Sequence, residues 1–225
     1  MNIFDIIGPV MVGPSSSHTA GAVRLGNAAR AILGQPVIEA TIGLHGSFAQ
    51  TGRGHGTDLA LVAGLMGWPT DDLRIPQAFD YAREAGLHYF FRTIDAGDAA
   101  HPNFVKFWLT GQDGVKSQVA GASIGGGRVV ISEVDDFPLA FTGDFPTILT
   151  LHEDRPGAVA EVTGILSKCG VNIAQMKVFR KNKGGLASMV LETDQPLAEA
   201  DLAAVAGLPM IKTVRCIHAI SGQGV

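Results

Sequence analysis

The sequence predicts an α+β protein of two domains, with an N-terminal α+β domain followed by a ferredoxin-like βαββαβ domain. Three observations carry this expectation. At 225 residues the chain is long enough for two cores of ordinary size. Segments with a 3.6-residue apolar period occur beside segments of period two, so helices and strands are mixed. The pattern then changes in kind after an acidic, proline-containing stretch from Asp135 to Pro146. Beyond it the elements read strand, helix, strand, strand, helix, strand, which is the split ferredoxin-like order. The expected boundaries are residues 1–140 for the first domain, 141–146 for the linker and 147–220 for the second domain.

The first domain is organised around Gly13-Pro14-Ser15-Ser16-Ser17-His18-Thr19-Ala20-Gly21. Behind it Ala22, Leu25, Ala29, Ile32 and Leu33 fall on one helical face, so the polar cluster sits at or just before a helix N-terminus. There the first backbone N–H groups lack partners and the macrodipole favours negative charge. Hydroxyls and free amides at one point suit a carboxylate or phosphate, and His18 adds a group that titrates near neutral pH. The plainer reading of the same residues is a serine-rich N-cap with an exposed histidine.

Val37 to Leu44 alternates and reads as a strand. It runs into His45-Gly46-Ser47-Phe48-Ala49-Gln50-Thr51-Gly52-Arg53-Gly54-His55-Gly56-Thr57-Asp58, expected as a glycine-rich loop whose backbone approaches something closely. Thr57 or Asp58 is expected to cap a short helix, Leu59 to Met66. Pro76 to Ala85 reads as a helix and Leu87 to Ile94 as a strand. A polar loop with His101-Pro102-Asn103 leads to a strand from Phe104 to Thr110. The glycine run Gly121 to Gly127 lacks the Gly-Lys-Ser/Thr ending of a phosphate loop, so a bulged hairpin is the better reading. A strand from Arg128 to Glu133 closes this domain.

In the second domain, Thr147 to His152 is a strand and Asp154-Arg155-Pro156-Gly157 a turn into a helix that ends at Cys169-Gly170. Val171 to Arg180 and Leu186 to Thr193 form a hairpin. A helix from Ala198 to Ala206 and a strand from Met210 to Ile220 complete the order.

Composition excludes several function classes. Net charge is −4 without a basic run, which argues against nucleic acid as a partner. No apolar stretch approaches the roughly 18 residues of a membrane span. Met1-Asn2-Ile3-Phe4-Asp5 has no basic n-region, so no signal peptide is expected and the cytoplasm is the default location. Hydrophobic residues make up 46% and charged ones 17%, which leans towards a subunit that buries surface against a partner. The two cysteines, Cys169 and Cys216, read as buried thiols. An iron–sulfur cluster takes three or four cysteine ligands, so this chain does not hold one by itself.

The individual candidates have competing readings. His45 and His88 lie in or beside strand runs and read as structural. His101 and Asn103 are either ligand contacts or the polar residues that an Xaa-Pro-Asn turn needs for its own backbone. The spacing of His18, His45, His55 and Asp58 fits no compact zinc motif. A pyridoxal-phosphate enzyme needs a Schiff-base lysine, and no lysine precedes Lys106.

The Gly13–Gly21 stretch together with Gly52-Arg53-Gly54-His55-Gly56-Thr57-Asp58 closely resembles the β chain of the bacterial iron–sulfur-dependent L-serine dehydratases, over roughly residues 1 to 140. The remainder resembles an ACT domain through His152, the Asp154-to-Gly157 turn and Gly170-Val171-Asn172-Ile173. It is similar to the regulatory domain of D-3-phosphoglycerate dehydrogenase, where an asparagine corresponds to Asp154.

The resemblance implies β-elimination: L-serine loses water to aminoacrylate, which hydrolyses to pyruvate and ammonia. It implies a [4Fe-4S] cluster ligated by a separate α chain, so the partners expected are that α chain, L-serine and an ACT-mediated dimer of αβ units. Ser15, Ser16, Ser17, His18, Thr19 and His55 are then the catalytic candidates. Gly54, Thr57, Asp58, His101 and Asn103 are the substrate-binding candidates. His152, Asp154, Gly157 and Asn172 are the effector-binding candidates, and no metal ligands are expected in this chain. The alternative is a stand-alone amino-acid-binding regulatory protein with an effector pocket in place of a shared active site.

Overall fold

The computed structural model describes residues 10–220, and the Met1-to-Asp5 stretch considered above lies outside them. The described chain divides into two compact units, the first ending at Asp135 and the second beginning at Asp136. Each mixes helices and strands, as the apolar periodicities predict.

The first unit opens with a π-helical turn, Ser16–Ala20, that runs directly into helix α1 (Gly21–Leu33). Strand β1 (Val37–Leu44), helices α2 (Gly46–Thr51) and α3 (Thr57–Leu65), and a 3₁₀ turn at Ile75–Gln77 follow. Helix α4 (Ala78–Glu84) then leads to strands β2 (His88–Thr93), β3 (Phe104–Gly111), β4 (Lys116–Gly125) and β5 (Arg128–Val134). Within this unit the strands lie in the order β2-β1-β3-β4-β5. The β1–β2 pair is parallel because the chain crosses over through α2 to α4, while the pairs that follow are antiparallel.

The apolar stripe of α1 does what its spacing predicts. Leu25 and Ile32 on α1, Leu61 and Leu65 on α3, Ile42 on β1, Phe107 on β3 and Ile131 on β5 are all fully buried. Each such side chain contributes roughly 1.5–3 kcal/mol relative to exposure. Helices α1 and α3 approach backbone to backbone at two glycines. A Cβ on Gly26 would lie 2.5 Å from the Leu61 carbonyl oxygen, and one on Gly64 would lie 2.2 Å from that of Val23. This close crossing sets the start of α1 beside the start of α3.

Three local expectations are corrected. The His45–Asp58 stretch is not one loop, since α2 occupies its first half. Neither Thr57 nor Asp58 caps α3. The cap position is Gly56, in the left-handed region at φ 67°, and Thr57 is the first helical residue with its side chain fully buried. The stretch read as linker contains a strand, β6 (Phe137–Phe141), whose alternation buries Leu139 and Phe141 despite Pro138. The Gly121–Gly127 run is a bulged hairpin, with register shifts at Ala120/Gly121 and Ser123/Gly125.

In the second unit, β7 (Thr147–Glu153), α5 (Ala158–Lys168), β8 (Ile173–Arg180), β9 (Leu186–Thr193), α6 (Glu199–Ala206) and β10 (Ile211–Ile217) give the βαββαβ order. The antiparallel sheet runs β10-β7-β9-β8. Ile148, Met189 and Leu191 pack with Val162, Leu166 and Val205 of the two helices to form its core. β6 belongs to this unit, where the Ser188 hydroxyl donates to the Pro138 carbonyl at 2.7 Å. No described helix is long and apolar enough to cross a membrane.

Candidate functional site

The glycine crossing of α1 and α3 brings the π-helical turn against the loop that joins α2 to α3. The Thr19 hydroxyl donates to the His55 carbonyl at 3.2 Å and fastens the two together. Thr19 is itself buried, so this bond is sheltered from water. Ser15 occupies the cap position, and its Oγ accepts the His18 backbone N–H at 3.2 Å. The polar cluster is thus helical from Ser16 onward and does not stand in an extended segment ahead of the helix. Ser16 closes the wide turn through its carbonyl, which accepts the Gly21 N–H.

Both ring nitrogens of His18 meet hydroxyls. Nδ1 is 3.1 Å from Ser17 Oγ, which is 3.4 Å from Ser15 Oγ. Nε2 is 3.0 Å from Ser47 Oγ and 3.2 Å from Thr51 Oγ1. The His55 ring lies 4.9 Å from that of His18, centroid to centroid, and its Nδ1 donates to the Thr51 carbonyl at 3.2 Å. The buried Phe48 closes the other side of His18 edge-on at 5.4 Å. Burial, and secondarily the charge that His55 carries when protonated, hold the His18 pKa below the ordinary histidine value. His18 is therefore a neutral imidazole at neutral pH, able to accept a proton.

The remaining candidates of this unit are placed differently. Gly54 is exposed in the loop beside His55. The Thr57 hydroxyl is buried without a partner. The Asp58 carboxylate accepts the Leu59 N–H at 2.9 Å and lines an open cleft of about 590 Å³ with Phe48, Phe79, Tyr89 and Phe91. His101 Nδ1 accepts the Asn103 N–H at 3.0 Å, and the Asn103 amide donates to the Ser123 carbonyl at 3.5 Å. Their loop abuts the start of α2, where Phe48 N–H donates to the Pro102 carbonyl. His45 anchors the end of β1 by accepting the Ala96 N–H at its Nδ1.

Ser47 and Thr51 were not among the candidates read from the sequence. Their signal was a Ser and a Thr at i,i+4 spacing between Gly46 and Gly52, one face of a single short helix.

In the second unit the four effector candidates all lie at or near strand ends. His152 is buried, with Nδ1 donating to the Glu153 carbonyl at 2.8 Å and Nε2 left without a partner. Asp154 accepts the Gly184 N–H at 2.9 Å and a 3.3 Å bond from Arg180. First the amide and then the guanidinium hold its carboxyl below the usual range. Gly157 sits at the N-cap of α5 at φ 91°, and the Asn172 amide donates to Asp194 at 2.8 Å.

Fold and site define a class: a two-unit α+β protein that presents a hydroxyl-and-imidazole cluster at a helix N-terminus and continues, later in the chain, into a ferredoxin-like unit. Comparison with known proteins narrows this. The serine dehydratase beta chain family model matches residues 2–86, and the ACT domain model matches residues 147–209. A protein described as a probable L-serine dehydratase beta chain from Bacillus subtilis (strain 168) is 42% identical over 210 residues, 93% of this chain and 94% of that one. The L-serine dehydratase beta chain of Peptoniphilus asaccharolyticus is 38% identical over 215 residues, covering 96% and 97%. The D-3-phosphoglycerate dehydrogenase of Synechocystis is 29% identical over 198 residues, 86% of this chain but 35% of that protein. The chain belongs to the L-serine dehydratase beta-chain family, and its second unit is an ACT domain.

Proposed function

We propose that this chain is the β subunit of an L-serine dehydratase, a lyase that converts L-serine to pyruvate and ammonia together with an α chain bearing a [4Fe-4S] cluster. The observation that carries the reading is the His18 imidazole, with both ring nitrogens against hydroxyls and a second histidine ring 4.9 Å away, at the start of a helix. The donor set of this chain does not fit the cluster. Cys169 and Cys216 both lie in the second unit, and no group of three histidine, cysteine or carboxylate side chains among the described residues is placed to hold a metal. The cluster belongs to the α chain in this proposal.

What this chain supplies is binding and proton handling. The Ser16 hydroxyl and the amides at the helix start bind the substrate carboxylate, while the Ser15 and Ser17 hydroxyls line the His18 ring. His18 or His55 holds or moves a proton near Cα, a role worth roughly 10²–10⁴ in rate for a positioned group. Gly54, Thr57 and Asp58 shape the His55 loop, and His101 and Asn103 border it across α2. The ACT domain pairs αβ units and senses an effector near His152, Asp154, Gly157 and Asn172. In this chain the Asp154 carboxylate already occupies an amide and a guanidinium that a ligand carboxylate would otherwise take.

A second reading, an amino-acid-binding regulatory module without catalytic role, is favoured by the match of both units to a third of a dehydrogenase. Expression with and without a cysteine-rich partner under anaerobic conditions separates the two, reading iron content and pyruvate formed from L-serine. Activity only in the iron-loaded complex supports the subunit. Amino-acid binding by this chain alone, with no complex and no activity, supports the regulatory module.

A further inference from the structure

We infer that Thr51 is a positioning residue that sets the tautomers of both histidines, so that the basic nitrogen of His18 is Nδ1 and faces Ser17. The Thr51 hydroxyl has one proton, and it is 2.9 Å from the Ser47 carbonyl, which can only accept. With that proton committed, Thr51 Oγ1 can meet His18 Nε2 at 3.2 Å only as an acceptor. A hydrogen on Nε2 then satisfies this contact together with the one to Ser47 Oγ at 3.0 Å, whereas a bare Nε2 could accept from Ser47 alone. In a neutral ring this leaves a lone pair on Nδ1, and Ser17 donates to it at 3.1 Å. Ser15 Oγ, 3.4 Å from Ser17 Oγ, is then the next donor in line.

The opposite tautomer satisfies fewer contacts. With hydrogen on Nδ1, Nε2 and Thr51 Oγ1 would face each other lone pair to lone pair. The backbone of the same residue fixes the second ring. The Thr51 carbonyl takes the Nδ1 hydrogen of His55, which leaves the His55 lone pair on Nε2. One short helix therefore holds the two imidazoles as opposite tautomers, each with a defined basic nitrogen. The geometry stands on its own, whereas its consequence for turnover rests on the subunit reading above.

The test is a long-range ¹H–¹⁵N correlation spectrum of the full chain near neutral pH, with the His18 ring assigned from a His18→Gln variant. The expected result is protonated Nε2 and unprotonated Nδ1 for His18, and the reverse for His55. Thr51→Val removes the acceptor but keeps the shape at an exposed position, and should shift His18 towards a mixture of tautomers. Thr51→Ser should restore the original spectrum. In Ser17→Ala the Nε2 hydrogen should remain. A His18 ring protonated at Nδ1 in the unaltered chain, or a Thr51→Val spectrum identical to it, would overturn the inference. In the reconstituted complex Thr51→Val should lower kcat several-fold with little change in KM. A shifted tautomer with unchanged kcat would uphold the positioning role and count against the catalytic reading of His18.

Discussion

Gly26 on α1 and Gly64 on α3 lie with backbone against backbone, so close that a Cβ on Gly64 would fall 2.8 Å from the Gly26 Cα. The candidate site depends on this contact some distance from it. Only such a crossing sets the π-helical turn ahead of α1 beside the His55 loop ahead of α3, where Thr19 can bond the His55 carbonyl. The packing of the two helices is thus the link between core and chemistry.

Gly64→Ala should therefore disturb both stability and site. Backbone atoms cannot move aside as a flexible side chain does, so overpacking of about 1–3 kcal/mol is expected. Thermal denaturation should show a Tm lowered by several degrees, and the His18–His55 contact should loosen in the same variant. An unchanged Tm would mean that the helices separate freely.

His55→Gln should raise the His18 pKa, since it removes the like charge that disfavours the imidazolium. Burial remains, so the value should stay below ordinary. The direction also fixes a stability effect. A histidine whose folded pKa is depressed leaves the unfolded chain holding more protons between the folded and unfolded values. Its contribution is intact above the unfolded value and is lost as pH falls through that value towards the folded one. Denaturant unfolding between pH 7.5 and 5, in the unaltered chain and in His18→Gln, reads this directly, with the flatter profile expected for the variant.

Asp154→Ala should free the β8–β9 hairpin of the ACT domain. The carboxylate accepts from Gly184 and Arg180, and its depressed pKa means that this support is present above the ordinary carboxylate range and lost as pH falls through the folded value. Hydrogen exchange of residues 181–185 should quicken at neutral pH. Turnover in the reconstituted complex should change little, and a large kcat loss would show a role in chemistry.

Asn172→Ala is expected to alter effector response or ACT pairing, because its amide, just ahead of β8, bonds Asp194 just past the end of β9 and lies far along the chain from His18. Sedimentation with and without candidate amino acids reads this. No change in either would remove Asn172 from the effector site.

Much of the fold was legible because apolar period and burial coincide. Ala22 to Leu33 reads as one buried stripe, and the six elements from Thr147 to Ile217 follow their patterns closely. α2 was hidden because a six-residue helix that begins on Gly46 and stops at Gly52 carries too few turns for a period, and β6 because Pro138 and the aspartates before it resemble a linker. At the site, Ser17, His18 and His55 stand out by residue type and by their place near helix starts. Ser47 and Thr51 do not, because they meet His18 from 29 and 33 residues away across a helix that the sequence does not announce. Thr57 shows the converse: it looked like a cap and is a buried first-turn residue, because Gly56 supplies the left-handed turn that the chain needs there.

The most direct measurement is kcat for pyruvate formation by the reconstituted complex carrying His18→Ala or His55→Ala, with assembly verified by gel filtration. If the hydroxyl-and-imidazole cluster completes the active site, at least one variant loses about tenfold or more of kcat while the complex stays intact, as expected for loss of a positioned proton carrier. Unchanged kcat in both variants would contradict the shared active site and leave the cluster as an effector pocket.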